Sequence, residues 1–138
     1  MNNSVVEAIT RRFVLVGNPA QVPLLRYSQR GKTIFKAHLT NDGIFVDNLP
    51  HANSLLPWEV FVETVKLLEG QGGSARKGSS VYKLGSEQLP LDSIEGHIAH
   101  VVFNKQVGET VLRRISPITG ILRWARICES KPGKLVLK

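Results

Sequence analysis

The stretch Thr33-Ile34-Phe35-Lys36-Ala37-His38-Leu39-Thr40-Asn41-Asp42-Gly43-Ile44-Phe45-Val46-Asp47 decides the fold class. In a strand, successive side chains point to opposite faces, so Phe35, Ala37 and Leu39 share one side while Lys36 and His38 take the other. Asn41-Asp42-Gly43 is turn chemistry, because Gly reaches positive φ without a steric cost and Asn and Asp side chains bond their own backbone. Ile44 to Asp47 then runs back. The spacing predicts an antiparallel hairpin with one buried face.

Upstream, the apolar run Arg12 to Val16, ended by Gly17-Asn18-Pro19, predicts a strand, with Val5 to Ile9 before it as a helical turn or an extended lead-in. Downstream, Pro57 fits a first helical position, and Trp58, Phe61, Val62, Val65 and Leu68 recur at helical spacing until Gly70. Glu59, Glu63 and Lys66 fall on the wet side. Residues 70–80, rich in Gly and Ser, read as a mobile loop between two subregions.

In the C-terminal half, Asp92 matches an N-cap with Glu95 three residues on, predicting a helix from about Ser93 to Phe103 that buries Ile94, Ile98, Val101 and Val102. Gly96 weakens it. Glu109 to Ile115, opened by Gly108 and rich in β-branched residues, predicts a strand. A helix from Pro117 to about Ile127 would bury Ile118, Ile121, Leu122 and Ala125, with Gly120 costing roughly 1 kcal/mol relative to Ala. Pro132-Gly133 turns the tail, and Leu135-Val136-Leu137 suits an edge strand. The expected class is α+β: N-terminal antiparallel strands and a hairpin packed with about three helices, the C-terminal half resembling a winged helix. At 138 residues, one compact domain spanning 1–138 is expected.

At 42% apolar and 21% charged, the composition excludes a chain disordered throughout. One cysteine, Cys128, excludes an internal disulfide and a thiolate-rich zinc site, which suits a reducing compartment. The first residues lack a basic segment followed by an apolar one, and no stretch approaches the roughly 18 apolar residues that span a bilayer. A cytoplasmic protein with no membrane association is expected.

Motifs for catalysis are incomplete. Gly31-Lys32-Thr33 resembles the end of a phosphate-cradling loop, but Arg26 stands where a Gly is required and a strand follows where a helix is needed. Gly73 to Gly78 has the right separation and then Ser79 in place of Lys. His97 and His100 lie one helical turn apart without a third ligand nearby in sequence. Cys128 reads as a small buried thiol, and Ser79 and Ser80 lack a nucleophile elbow. Asp42, Asp47 and Asp92 suit turns and caps. Neither an enzyme, a metal site nor a cofactor is expected.

The stronger constellation is cationic. The chain carries a net +7, unevenly divided: +5 over residues 1–38, −4 over 39–69 and +6 over 70–138. Arg113 and Arg114 precede a helix start, Arg123 and Arg126 lie three apart on that helix, and Arg76 and Lys77 sit on the Gly/Ser segment. Together they predict a surface that contacts nucleic-acid phosphates, DNA ahead of RNA, with helix N–H groups adding partial positive charge. Trp58 and Trp124 read as core aromatics, and an aromatic content of 7% disfavours serial base stacking. The alternative is a protein–protein or homo-oligomeric assembly module that sets the acidic segment against a basic one and pairs the hairpin edge or the Leu135–Leu137 tail. A metal-dependent nuclease ranks below both, since it requires convergent carboxylates.

Overall fold

The computed structural model describes residues 3–24 and 34–138. Gly31, Lys32 and Thr33 lie outside the described residues. The order is α1 (Ser4–Val16), β1 (Ala20–Pro23), β2 (Ile34–Leu39), β3 (Gly43–Val46), a short 3-10 turn (His51–Asn53), β4 (Leu55–Pro57), α2 (Trp58–Gly70), β5 (Ser74–Arg76), α3 (Ile94–Val101), α4 (Ile115–Trp124), β6 (Cys128–Lys131) and β7 (Lys134–Leu137). The class is α+β. An antiparallel four-stranded sheet runs β1-β2-β3-β4, and a separate three-stranded sheet runs β5-β7-β6.

The hairpin forms as its alternation dictates. Phe35 and Ala37 are buried, Lys36 and His38 exposed, and Ala37, His38 and Leu39 pair with Val46, Phe45 and Ile44. Thr40 Oγ1 donates to the Gly43 carbonyl at 2.8 Å and accepts from the N–H groups of Asp42 and Gly43, which closes the turn. Asp47 Oδ1 accepts from Lys36 N–H at 2.8 Å.

The strand expected at Arg12–Val16 is instead the end of α1. Asn3 Oδ1 accepts from Val5 N–H at 2.9 Å and caps the helix. Val5, Ile9 and Phe13 then recur every fourth residue along one buried stripe, and a helix keeps such a stripe on one side. Phe13 meets Trp124 of α4 edge-on, ring centres 4.9 Å apart. Val14, Leu15 and Val16, which made the run look like a strand, are exposed on the last turn.

Four further expectations shift. The N-cap of α3 is Ser93, one residue after Asp92: its Oγ accepts from Gly96 N–H at 3.1 Å and donates to the Pro90 carbonyl at 2.6 Å. Glu109 to Arg114 form no strand: among the described residues no neighbouring strand meets them, and the N–H groups of Arg114 and Ile115 donate to Glu95. Leu135–Leu137 belongs to the middle strand of its sheet, paired on both sides, so it offers no free edge. Residues 70–80, expected as a mobile loop, contain the end of α2 and strand β5.

The centre of the molecule is α4. Eight of its ten residues are buried, and α1, α2, β1 and β6 all pack around it. Gly120 explains how they fit: a Cβ there would come within 2.9 Å of the Phe35 ring of β2, so the glycine that weakens the helix lets the sheet approach it. Ile9, Phe35, Phe61, Ile98, Ile118 and Leu135 belong to one continuous apolar core. No helix among the described residues is long and apolar enough to cross a membrane.

Candidate functional site

The fold divides the six expected cations into two groups at opposite ends of α4. Arg76, the last residue of β5, is exposed, and its Nη2 donates to the Glu87 carbonyl at 2.7 Å. Lys77 is half-buried; its Nζ donates to Ser130 Oγ at 2.6 Å, and burial lowers its pKa. Its N–H donates to the Gly133 carbonyl, and its own carbonyl accepts from Glu95 N–H. Lys77 therefore ties the β6–β7 turn to the start of α3.

Glu95 completes this corner. Its two carboxylate oxygens accept from Arg114 N–H at 2.9 Å and Ile115 N–H at 3.0 Å, so it caps α4 from 20 residues upstream. Its expected capping-box role on its own helix is replaced by this one. A carboxylate at a helix N-terminus meets the positive end of the helix dipole. Burial nevertheless pushes its pKa up to about 7, against those two hydrogen bonds and the charges of Arg114 and Arg113.

Arg113 is exposed, while Arg114 is 7% exposed and withdrawn from the surface. The Arg114 guanidinium carbon lies 3.7 Å from the centre of the Phe103 ring, a cation–π contact. Burial lowers its pKa, and the Glu95 charge opposes that. Arg114 positions the α3–α4 connection and is not free to meet a phosphate, contrary to expectation.

Arg123 and Arg126 stand at the far end of α4, about 13 Å along the axis from its first residue. Arg123 is half-buried in the last turn, where the negative end of the helix dipole favours a cation. Arg126 lies beyond the helix at φ 65°, its N–H donating to the Arg123 carbonyl at 3.0 Å. The two are therefore not turn-related neighbours on an exposed helical face. The helix that carries Arg123 is a core helix and cannot lie in a nucleic-acid groove.

The register of the second sheet brings forward two cations that the sequence reading passed over. Arg76 pairs with Lys134, and Lys134 pairs with Lys131. Side chains directly opposite one another project from the same face, and the next row in register, Ala75 and Leu135, faces the core. Arg76, Lys134 and Lys131 thus line the outer face in one exposed row, which spans about 10 Å at the usual strand spacing. Like charges set directly opposite are destabilising, so folding does not account for the row. Lys131 is 3.9 Å from Glu129, a loose surface pair. The sequence signal was Lys131-Pro132-Gly133-Lys134, a two-residue turn with a cation on each side.

Two of the four histidines have structural partners. His97 Nε2 and Glu63 Oε1 are 3.1 Å apart, and His100 Nδ1 lies 2.8 Å from the Lys105 carbonyl. Partial burial acts to raise the Glu63 pKa, but hydrogen bonds from His97 and Lys66 hold it below the usual carboxylate range. Cys128 is buried, which pushes its thiol up to about 12. Among the described residues no group of three or more His, Cys, Asp or Glu is arranged to hold a metal ion. Compared with protein-family models, curated proteins and solved structures, the chain matches none.

Proposed function

We propose that this protein is a small, non-enzymatic nucleic-acid-binding module that grips the phosphate backbone through the turn end of its second sheet. The observation that carries the reading is the exposed row Arg76, Lys134, Lys131, held in register across three strands with Arg113 exposed on the α3–α4 connection. A row of about 10 Å matches about three nucleotide rises on one strand of a duplex. In this reading residues 58–137 are a winged-helix-like unit. Its support is the order helix, strand, helix, helix, strand, strand, with the last strand lying between the other two. The β6–β7 hairpin takes the place of the wing. The helix that would enter a groove in such a unit is α4, whose burial leaves contact to the hairpin and favours backbone binding over base readout.

The test is a salt titration of binding to duplex DNA, single-stranded DNA and RNA. Affinity should fall linearly on a double-logarithmic plot, by about 0.9 unit per phosphate neutralised on duplex and about 0.7 on single strands. Absence of binding at low salt to all three ends the reading. A second reading, self-association, draws on the exposed Val14, Leu15 and Val16 at the end of α1. It predicts an oligomer in gel filtration without nucleic acid.

A further inference from the structure

The connection between β5 and α3 holds two adjacent side chains, Val81 and Tyr82, out in water, with Leu91 exposed further along it. Val81 is 88% exposed, the most exposed large apolar residue among those described, and the adjacent Tyr82 is 46% exposed. Neighbouring exposed apolar side chains on a fixed frame form a surface that a ligand can use.

The frame around them is fixed. Ser79 N–H donates to the Gln88 carbonyl at 2.9 Å, and Tyr82 N–H to the Ser79 carbonyl at 3.2 Å. Leu84 N–H donates to the Glu109 carbonyl, and the Leu84 carbonyl accepts from Gly108 N–H at 2.8 Å. Leu84 and Leu89 are buried in a small core of their own with Ala99 and Val111. Val81 and Tyr82 are thus presented between two anchored points.

The segment also adjoins the cationic row. The bond from Arg76 Nη2 to the Glu87 carbonyl ties it to the end of β5, and Lys83, next to Tyr82, is exposed. Glu87 and Asp92 are the acidic groups on the same connection. An exposed aromatic ring on a segment tied to a row of exposed cations is an arrangement that lets one base stack while the backbone is held.

We infer that Tyr82, supported by Val81, is a stacking platform for an unpaired base, so that the protein prefers single-stranded nucleic acid to a closed duplex. This rests on the backbone-binding reading above. A duplex presents its base faces only where a step is opened, whereas every base of a single strand has a face free to stack. One platform of this kind needs no series of aromatics.

The test compares Tyr82→Ala and Tyr82→Phe with the wild-type chain by fluorescence anisotropy on a short labelled single strand, as DNA and as RNA, and on the matching duplex. Tyr82 contributes to neither apolar core, and thermal melting by circular dichroism checks that both variants fold. Tyr82→Ala should lose about five- to hundred-fold in affinity for the single strand, with a much smaller change on the duplex. Tyr82→Phe, which keeps the ring, should retain wild-type affinity. A preserved single-strand affinity in Tyr82→Ala, or an equal loss on both ligands, overturns the stacking inference and leaves backbone binding standing. A wild-type chain that binds neither ligand removes both.

Discussion

Replacing Glu95 by Ala tests the corner on which the candidate site is built. The substitution leaves the N–H groups of Arg114 and Ile115 without their acceptor at a buried helix start. Each orphaned donor costs about 1–3 kcal/mol, and relief from desolvating the carboxylate returns part of that, so a net loss of about 2–4 kcal/mol is expected. For a chain of this length that is a fall in Tm of about 10 °C. Urea unfolding followed by the fluorescence of Trp58 and Trp124 measures it directly. The pH dependence gives a second reading. The folded-state pKa of Glu95 is about 7, above its ordinary value of 4.5, so the folded chain holds this proton more tightly than the unfolded one. Its contribution is fully present below about pH 4.5 and is lost as pH rises through about 7, by at most about 3 kcal/mol. Glu95→Gln removes the titration, so the difference between wild type and this variant should change between about pH 4.5 and 7. A cost below about 0.5 kcal/mol for Glu95→Ala would refute the capping role, and parallel pH profiles for wild type and Glu95→Gln would refute the raised pKa.

Gly96→Ala should destabilise by about 1–3 kcal/mol in the same urea assay although Ala is the better helix former, because a Cβ there would run into the Pro90 carbonyl and lie 2.9 Å from Ser93 Oγ. Cys128 should resist a thiol reagent at pH 8 in the folded chain and react once denatured, since burial holds its pKa near 12. Rapid native labelling would contradict that burial. Arg126→Ala should leave nucleic-acid affinity within about twofold, because this residue stands at the end of α4 remote from the cationic row; a tenfold loss would move the site.

What the sequence made legible was local. The hairpin at 34–47 could be read because period-two alternation and a glycine turn act over neighbouring residues. In α2, the helical spacing from Trp58 to Leu68 sufficed as well. The last turn of α1 misled because Val14, Leu15 and Val16 obscure the stripe of Val5, Ile9 and Phe13 that sets the helix. The segment before α4 misled because its N–H groups find Glu95, 19 and 20 residues earlier, a pairing that no local pattern encodes. The candidate site divides in the same way. Arg76 was visible as a cation, but its alignment with Lys131 and Lys134 is a product of register between strands more than 50 residues apart. The burial of Arg114 depends on Phe103, and that of α4 on a sheet from the other half of the chain.

The central claim is that three cations in one row hold phosphates. Its most direct test is the salt dependence of nucleic-acid binding in the wild-type chain and in the triple variant Arg76→Ala, Lys131→Ala, Lys134→Ala. On duplex DNA the slope of log affinity against log salt should shrink by about 2–3 units, close to 0.9 for each contact removed. An unchanged slope in a folded triple variant would contradict the account.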